Sequence, residues 1–150
     1  MAISEELQAC LDQKQVLLTR LLNLSRQIET QCSREKPEDP SALIRQRQVY
    51  IDRLKKCADR IGLLLAKLPH EERERTDSIL SARLPKAQCS AGEASAMERE
   101  AQCRSLLREL SASDAESRRQ MKKECDRLQK LVNNSRGKGK KDSLFSNFKT

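Results

Sequence analysis

Six thiols and one imidazole are the side chains of this chain that could act as nucleophiles or soft metal ligands: Cys10, Cys32, Cys57, Cys89, Cys103, Cys125 and His70. Their spacing does not suit that chemistry. No two cysteines form a CxxC pair, so zinc-finger spacing and a dithiol redox motif are both missing. The lone His70 sits inside the charge run His70-Glu-Glu-Arg-Glu-Arg75, right after Pro69, where a solvated surface histidine is expected. A P-loop, GxSxG, HExxH and GxGxxG are also missing from the sequence. Neither catalytic residues, nor a metal, nor any cofactor is expected, and the chain reads as a non-enzyme. The even cysteine count invites a disulfide reading, but most of the thiols fall inside strongly helical stretches. They read as small apolar groups in a reduced protein, with Cys57 and Cys125 at or beside helical seams.

The elements that must position everything else are long helices. Of the 150 residues, 35% are charged, 37% hydrophobic and only 2% aromatic, with four Gly, four Pro and no Trp. That is a long-helix composition; a β-rich domain needs more β-branched residues, more aromatics and more turns. The expected fold is all-α: an elongated antiparallel bundle of three to four helices over residues 1–133, followed by a disordered basic tail over 134–150. Aliphatic seams between helices must supply the core, because no large ring is available to anchor it.

The first helix is expected from Ser4, which can cap it, with Glu5 and Glu6 in a first turn that favours negative charge. Its main seam is Leu7, Leu11, Leu18, Leu21, Ile28 and Cys32, and a second apolar set, Cys10, Leu17, Leu22 and Leu24, widens the stripe. A stripe that wide implies more than one partner helix. Pro37 and Pro40 end this helix, and Asp39 can cap the next. The second helix carries Ile44, Ile51, Leu54, Ala58, Ile61, Leu65 and Leu68, and ends at Pro69. A weaker third helix is expected between Pro69 and Leu84, then a loop from Pro85 to Gly92. The last helix should span residues 93–133, with Met97, Ala101, Leu107, Leu110, Met121, Cys125, Leu128 and Val132 on its buried side. A kink or break is expected in the polar stretch Ser111–Ser117, and a stop at Asn133–Gly137. Lys14, Ser25, Arg47 and Asp114 interrupt the seams and argue against one long continuous dimeric coiled coil.

The net charge of +8 is uneven: Arg136, Lys138, Lys140, Lys141 and Lys149 stand against only Asp142 after residue 134. In the helices Lys and Arg interleave with Glu and Asp, so no dedicated basic face points to nucleic acid. No apolar run is long enough for stable membrane insertion, and the opening Met1–Glu6 has no signal-like segment, so a cytoplasmic protein is expected. Both phenylalanines, Phe145 and Phe148, lie in the last six residues, where exposed rings beside Lys suit a segment that folds onto a partner.

The stretches Leu7–Leu18, Leu43–Leu54 and Cys103–Leu110, the order of the helices and the ending Ser143–Thr150 together resemble the flagellar export chaperones of the FlgN type. The resemblance implies a chaperone that binds the C-terminal helical regions of flagellar hook–filament junction proteins and delivers them to the export gate or export ATPase components. The segment Pro69–Gly92 and the six cysteines depart from that pattern. The residues expected to meet partners are Cys10, Leu17 and Leu24 on the spare stripe of the first helix, and Phe145 and Phe148 at the end. The alternative is a coiled-coil adaptor or scaffold that forms a homodimer or higher oligomer through its long helices.

Overall fold

The computed structural model describes residues 3–34 and 38–142. Four α-helices and one short 3-10 turn make up the fold, with no strand among the described residues: α1 (Glu5–Cys32), α2 (Ser41–Ala66), α3 (His70–Leu80), the turn Lys86–Gln88, and α4 (Ala91–Asp142). The protein is an all-α helical bundle.

Local chemistry sets the helix starts. Ser4 caps α1, its hydroxyl accepting the Leu7 N–H at 3.1 Å. Asp39 accepts the Ser41 N–H at 3.0 Å, so α2 begins one residue beyond Pro40. Ser90 and Glu93 form a reciprocal pair at the head of α4. The Ser90 hydroxyl accepts the Glu93 N–H at 3.2 Å, and the Glu93 carboxylate accepts the Ser90 N–H at 2.9 Å. α3 ends on Ala82 in the left-handed region (φ 59°), where the Arg83 N–H reaches back to the Ser78 carbonyl at 2.7 Å.

α1 is the central helix, packed along its length by α2 on one side and α4 on the other. Contacts fix the directions. α2 runs antiparallel to α1, with Arg60 on Glu6, Cys57 on Cys10 and Tyr50 near Arg20. α4 runs parallel to α1, with Gln8 on Gly92, Lys14 on Glu100 and Glu29 on Ser113. Successive long helices therefore alternate in direction. The short α3 closes the end of the bundle where α1 starts, through buried Thr76 and Ile79 and an Arg104 guanidinium that donates to the Leu80 carbonyl at 2.7 Å.

The core is a line of aliphatic layers on α1. Ile3, Leu7, Leu11 and Ala96 meet Ile61, Leu64, Leu65 and Leu80 at one end. Cys10, Leu17 and Cys57 form the layer shared with α2. Leu18, Leu21 and Cys103 meet Tyr50, Ile51, Leu54, Leu106 and Leu110. Both apolar sets of α1 are buried, as the width of its stripe requires.

Three expectations are corrected. The Ser111–Ser117 stretch neither kinks nor breaks α4: two of its polar side chains reach partners on neighbouring helices, although the buried Ser117 hydroxyl has none among the described residues. Ser113 donates to Glu29 at 2.7 Å, and Asp114 takes the Arg47 guanidinium. The stop at Asn133–Gly137 is overrun, and α4 continues to Asp142. Glycine lowers helix stability by only about 1 kcal/mol relative to Ala, which a helix of this length absorbs. Finally, the buried lines of α2 and α4 are shifted. Ile44 and Ala58 are exposed on α2. On α4 the closed face is Glu93, Ala96, Glu100, Cys103, Ser113 and Ser117, while Ala101 and Leu107 are exposed.

Candidate functional site

Within the bundle the polar interruptions are joined to one another. Lys14 donates to both carboxylate oxygens of Glu100, at 3.0 and 3.1 Å. Arg47 Nε donates to Ser25 Oγ at 3.1 Å while its Nη2 holds Asp114. Ser25 is 1% exposed, so this is a closed polar layer across three helices. Such layers fix register, since slipping one helix would strand a half-buried charge. A second polar lock ties α3 to α4: the Arg75 guanidinium grips Glu93 at 2.8 and 3.0 Å and also donates to the Gln88 carbonyl at 3.0 Å. Glu93 is 1% exposed, and the Arg75 hydrogen bonds are the main reason its carboxyl titrates as low as about 2.

The thiols divide by depth. Cys10, Cys32, Cys57 and Cys103 are buried, Cys89 is half-buried and Cys125 is exposed. Burial pushes the Cys32, Cys57 and Cys103 thiols up. The Cys57 thiol donates to the Cys10 carbonyl at 3.2 Å. Cys57 therefore behaves as a small core group, as expected, and Cys125 does not, because no helix lies over it. His70 is exposed and lies 3.0 Å from Glu74. No cluster of three His, Cys, Asp or Glu side chains suited to a metal ion occurs among the described residues. No described helix is long and apolar enough to cross a membrane.

The residues expected to meet partners are placed differently from the expectation. Leu17 is 2% exposed, and Cys10 and Leu24 are buried as well. The second stripe of α1 is largely covered by α2, with Cys10 and Leu17 packed on Cys57, Tyr50, Leu54, Ile61 and Leu64; beside that contact Cys10 and Leu17 also line a surface cavity of about 440 Å³ with Gln13, Arg53 and Arg60. The width of the stripe signalled two neighbours inside the chain rather than one neighbour and a guest. Phe145 and Phe148 lie outside the described residues.

An open apolar face does exist, on α4. Its closed face runs Cys103, Leu110, Ser113, Ser117 and continues at three–four spacing as Met121, Cys125, Leu128 and Val132. The covering helices stop first: α1 ends at Cys32 and α2 begins at Ser41, both level with the region of Gln120 and Met121. α4 goes on for roughly 30 Å more at the α-helical rise. Leu128 is therefore 47% exposed, with Leu131 at 52% and Val132 also open. Leu128 and Val132 are among the residues that periodicity placed on the buried side of the last helix. They carry the right spacing for a seam and have no helix against them.

The root of this stripe opens into a cavity of about 440 Å³ between the end of α1, the α1–α2 connection and α4. Cys32, Met121, Cys125 and Leu128 supply its apolar lining, and Glu38, Asp39 and Glu124 its acidic rim. The flanks are basic along the whole stretch, from Arg118 at the root onward. Between Arg118 and Asp142 there are ten Lys and Arg against three Asp and Glu, so most of the +8 of the whole chain resides on this stretch. Chemically, the arrangement can hold an apolar, helical partner whose edges carry carboxylates.

Compared with known protein families, curated proteins and solved structures, the chain matches none.

Proposed function

We propose that this protein is a helix-holding chaperone that covers an amphipathic helix of a secreted partner, using the α4 stripe Met121, Cys125, Leu128 and Val132 as the holding face. The observation that carries the reading is a seam that outruns its partners. An amphipathic helix normally buries its apolar face, and this one is half-exposed from Leu128 to Val132 although the same face is closed up to Ser117. A second amphipathic helix laid along it completes the packing by helix-in-groove pairing, which needs no cofactor.

The resemblance to the flagellar export chaperones of the FlgN type supplies the class of partner: the C-terminal helices of flagellar hook–filament junction proteins, held in the cytoplasm and passed to the export gate or export ATPase components. The holding face lies on α4, not on Cys10, Leu17 and Leu24 of α1. The stripe is short, so pairing is weak enough to be released, as delivery to an export apparatus requires. Phe145 and Phe148 remain the proposed contact for that apparatus.

The test compares Leu128→Asp with the unaltered chain in capture of a purified hook–filament junction protein, alongside their unfolding midpoints. Leu128→Asp should lose at least about tenfold in capture, because a charge is forced into the apolar contact. Its unfolding midpoint should change little, because Leu128 is half-exposed at the edge of the root cavity and belongs to none of the core layers. Normal capture by the variant removes the α4 face from the account. Failure of the unaltered chain to capture any junction protein removes the flagellar partner and favours the adaptor reading.

A further inference from the structure

We propose that Cys10 and Cys57 are a modification site, a thiol pair across the α1–α2 seam that a low-molecular-weight disulfide of the glutathione type converts reversibly to an intramolecular disulfide. The inference is independent of the α4 face and of any partner held there.

Two small residues meet where the helices cross. Cys10 and Cys57 are 47 residues apart in sequence, and the antiparallel packing of α1 and α2 sets them against each other, the Cys57 thiol donating to the Cys10 carbonyl at 3.2 Å. Both belong to one core layer with Leu17. A disulfide spans Cα atoms roughly 4.4–6.8 Å apart. A sulfur that already touches its partner's main chain stands in that neighbourhood, so joining the two sulfurs calls for side-chain rotation rather than a new helix packing.

The pair is also reachable from outside. Leu or Ile at these positions would fill the seam, whereas the two thiols lie on the wall of the surface cavity of about 440 Å³ between α1 and α2. Cys10 is 8% and Cys57 9% exposed, while Cys103, in the next layer with Leu18 and Leu21, is 0% exposed and lies off the cavity wall. The cavity is lined by Arg53, Lys56 and Arg60 against Glu6, which Arg60 pairs. Glutathione disulfide has more carboxylates than ammonium groups, so this basic lining attracts it and also favours a thiolate.

The exchange runs in two attacks. The Cys10 thiolate attacks one sulfur of glutathione disulfide, the S–S bond breaks, and one glutathione leaves as its thiolate, which takes a proton from water. Cys57 then gives its proton to water and attacks the Cys10 sulfur, forming the Cys10–Cys57 bond and expelling the second glutathione. Two protein thiols are oxidised and one glutathione disulfide is reduced to two thiols. Burial pushes the Cys57 thiol up. That suits Cys57 to the second attack, where its position against Cys10 offsets a low thiolate fraction. Excess glutathione reverses both steps.

The test uses the full chain carrying Cys89→Ser and Cys125→Ser, which removes the half-buried and the exposed thiol and leaves Cys10, Cys32, Cys57 and Cys103. It is incubated folded with glutathione disulfide, quenched with acid and mapped by non-reducing peptide mass spectrometry. The Cys10–Cys57 link should exceed every other pair by at least about tenfold and should disappear on addition of excess glutathione. The linked chain should unfold several degrees higher than the reduced one, because the cross-link restrains the unfolded chain. Cys57→Ser should stop at a mixed disulfide, with glutathione retained on Cys10. The pairing is read with both thiols native, so it is decided whether or not Cys57→Ser folds. Absence of the Cys10–Cys57 link, comparable linking to Cys32 or Cys103, or a link that forms only in denaturing urea would overturn the proposal and leave the pair as core packing.

Discussion

The two halves of α4 are one helix with one face and two fates. From Ala91 to Ser117 the face is closed by α1, with α3 over its start: Ala96, Cys103, Ser113 and Ser117 are buried, Glu100 is paired with Lys14, and Leu106 and Leu110 pack against the Leu18–Leu21 layer. From Met121 to Val132 the face carries larger apolar side chains and lies open. Inside the bundle, small residues let the helices approach and polar ones specify register. Outside it, side chains large enough to fill a groove stand where nothing fills it. Large apolar side chains thus stand exposed on the outer half, which is the surface proposed to receive another helix.

The largest effect expected from this contrast is in truncations of Leu to Ala. Leu18→Ala, at a fully buried position against Cys103 and Leu110, should lower unfolding free energy by about 3 kcal/mol or more, whereas Leu128→Ala should change it by less than about 0.5 kcal/mol. Denaturant titration of both variants checks this, and comparable losses would mean that the outer half is packed.

A smaller difference is expected between ion pairs of the two halves. Asp114→Ala strands the Arg47 guanidinium beside Ser25 and should cost about 2 kcal/mol, with much of the loss recovered when Arg47→Met is added. Glu124→Ala leaves Arg127, 58% exposed, free to be solvated, and should fall within about 0.5 kcal/mol of the unaltered chain. A double-mutant cycle at each pair measures the two couplings.

The pH dependence sharpens the same division at the other end of α4. Arg75 and Ser90 hold the Glu93 carboxyl at about 2, below its usual 4.5. A carboxylate depressed by folding contributes stability that is fully present above its ordinary value and is lost as the pH falls toward the depressed one. The thermal midpoint should therefore drop progressively between about pH 4.5 and pH 2, and Glu93→Gln should flatten that part of the curve while lowering the midpoint at pH 7. A curve unchanged by Glu93→Gln would show that the lock between α3 and α4 carries little of the acid sensitivity.

What could be read from the sequence followed from whether the cause was local. Ser4 caps α1 where the residues put it, and α2 starts at Ser41, one residue later than an Asp39 cap would place it. The width of the α1 stripe correctly implied two neighbours. The identity of those neighbours was not legible, so Cys10, Leu17 and Leu24 read as a guest site when α2 covers two of them directly. Lys14, Ser25, Arg47 and Asp114 each looked like a defect in one helix and become partners only when three helices meet. Periodicity found the face of Met121, Cys125, Leu128 and Val132, but coverage depends on how far α1 and α2 reach, which no spacing within α4 encodes.

Amide hydrogen exchange along α4, with and without a purified hook–filament junction protein, tests the central claim most directly. In the free chain, amides from Ala96 to Leu110 should exchange slowly and those from Met121 to Arg136 several orders of magnitude faster, because only the first stretch is held by packing. Adding the partner should slow exchange in Met121–Arg136 and leave Ala96–Leu110 unchanged. Equal protection of both stretches in the free chain, or protection on binding confined to α1 and α2, would contradict an open holding face on the outer half of α4.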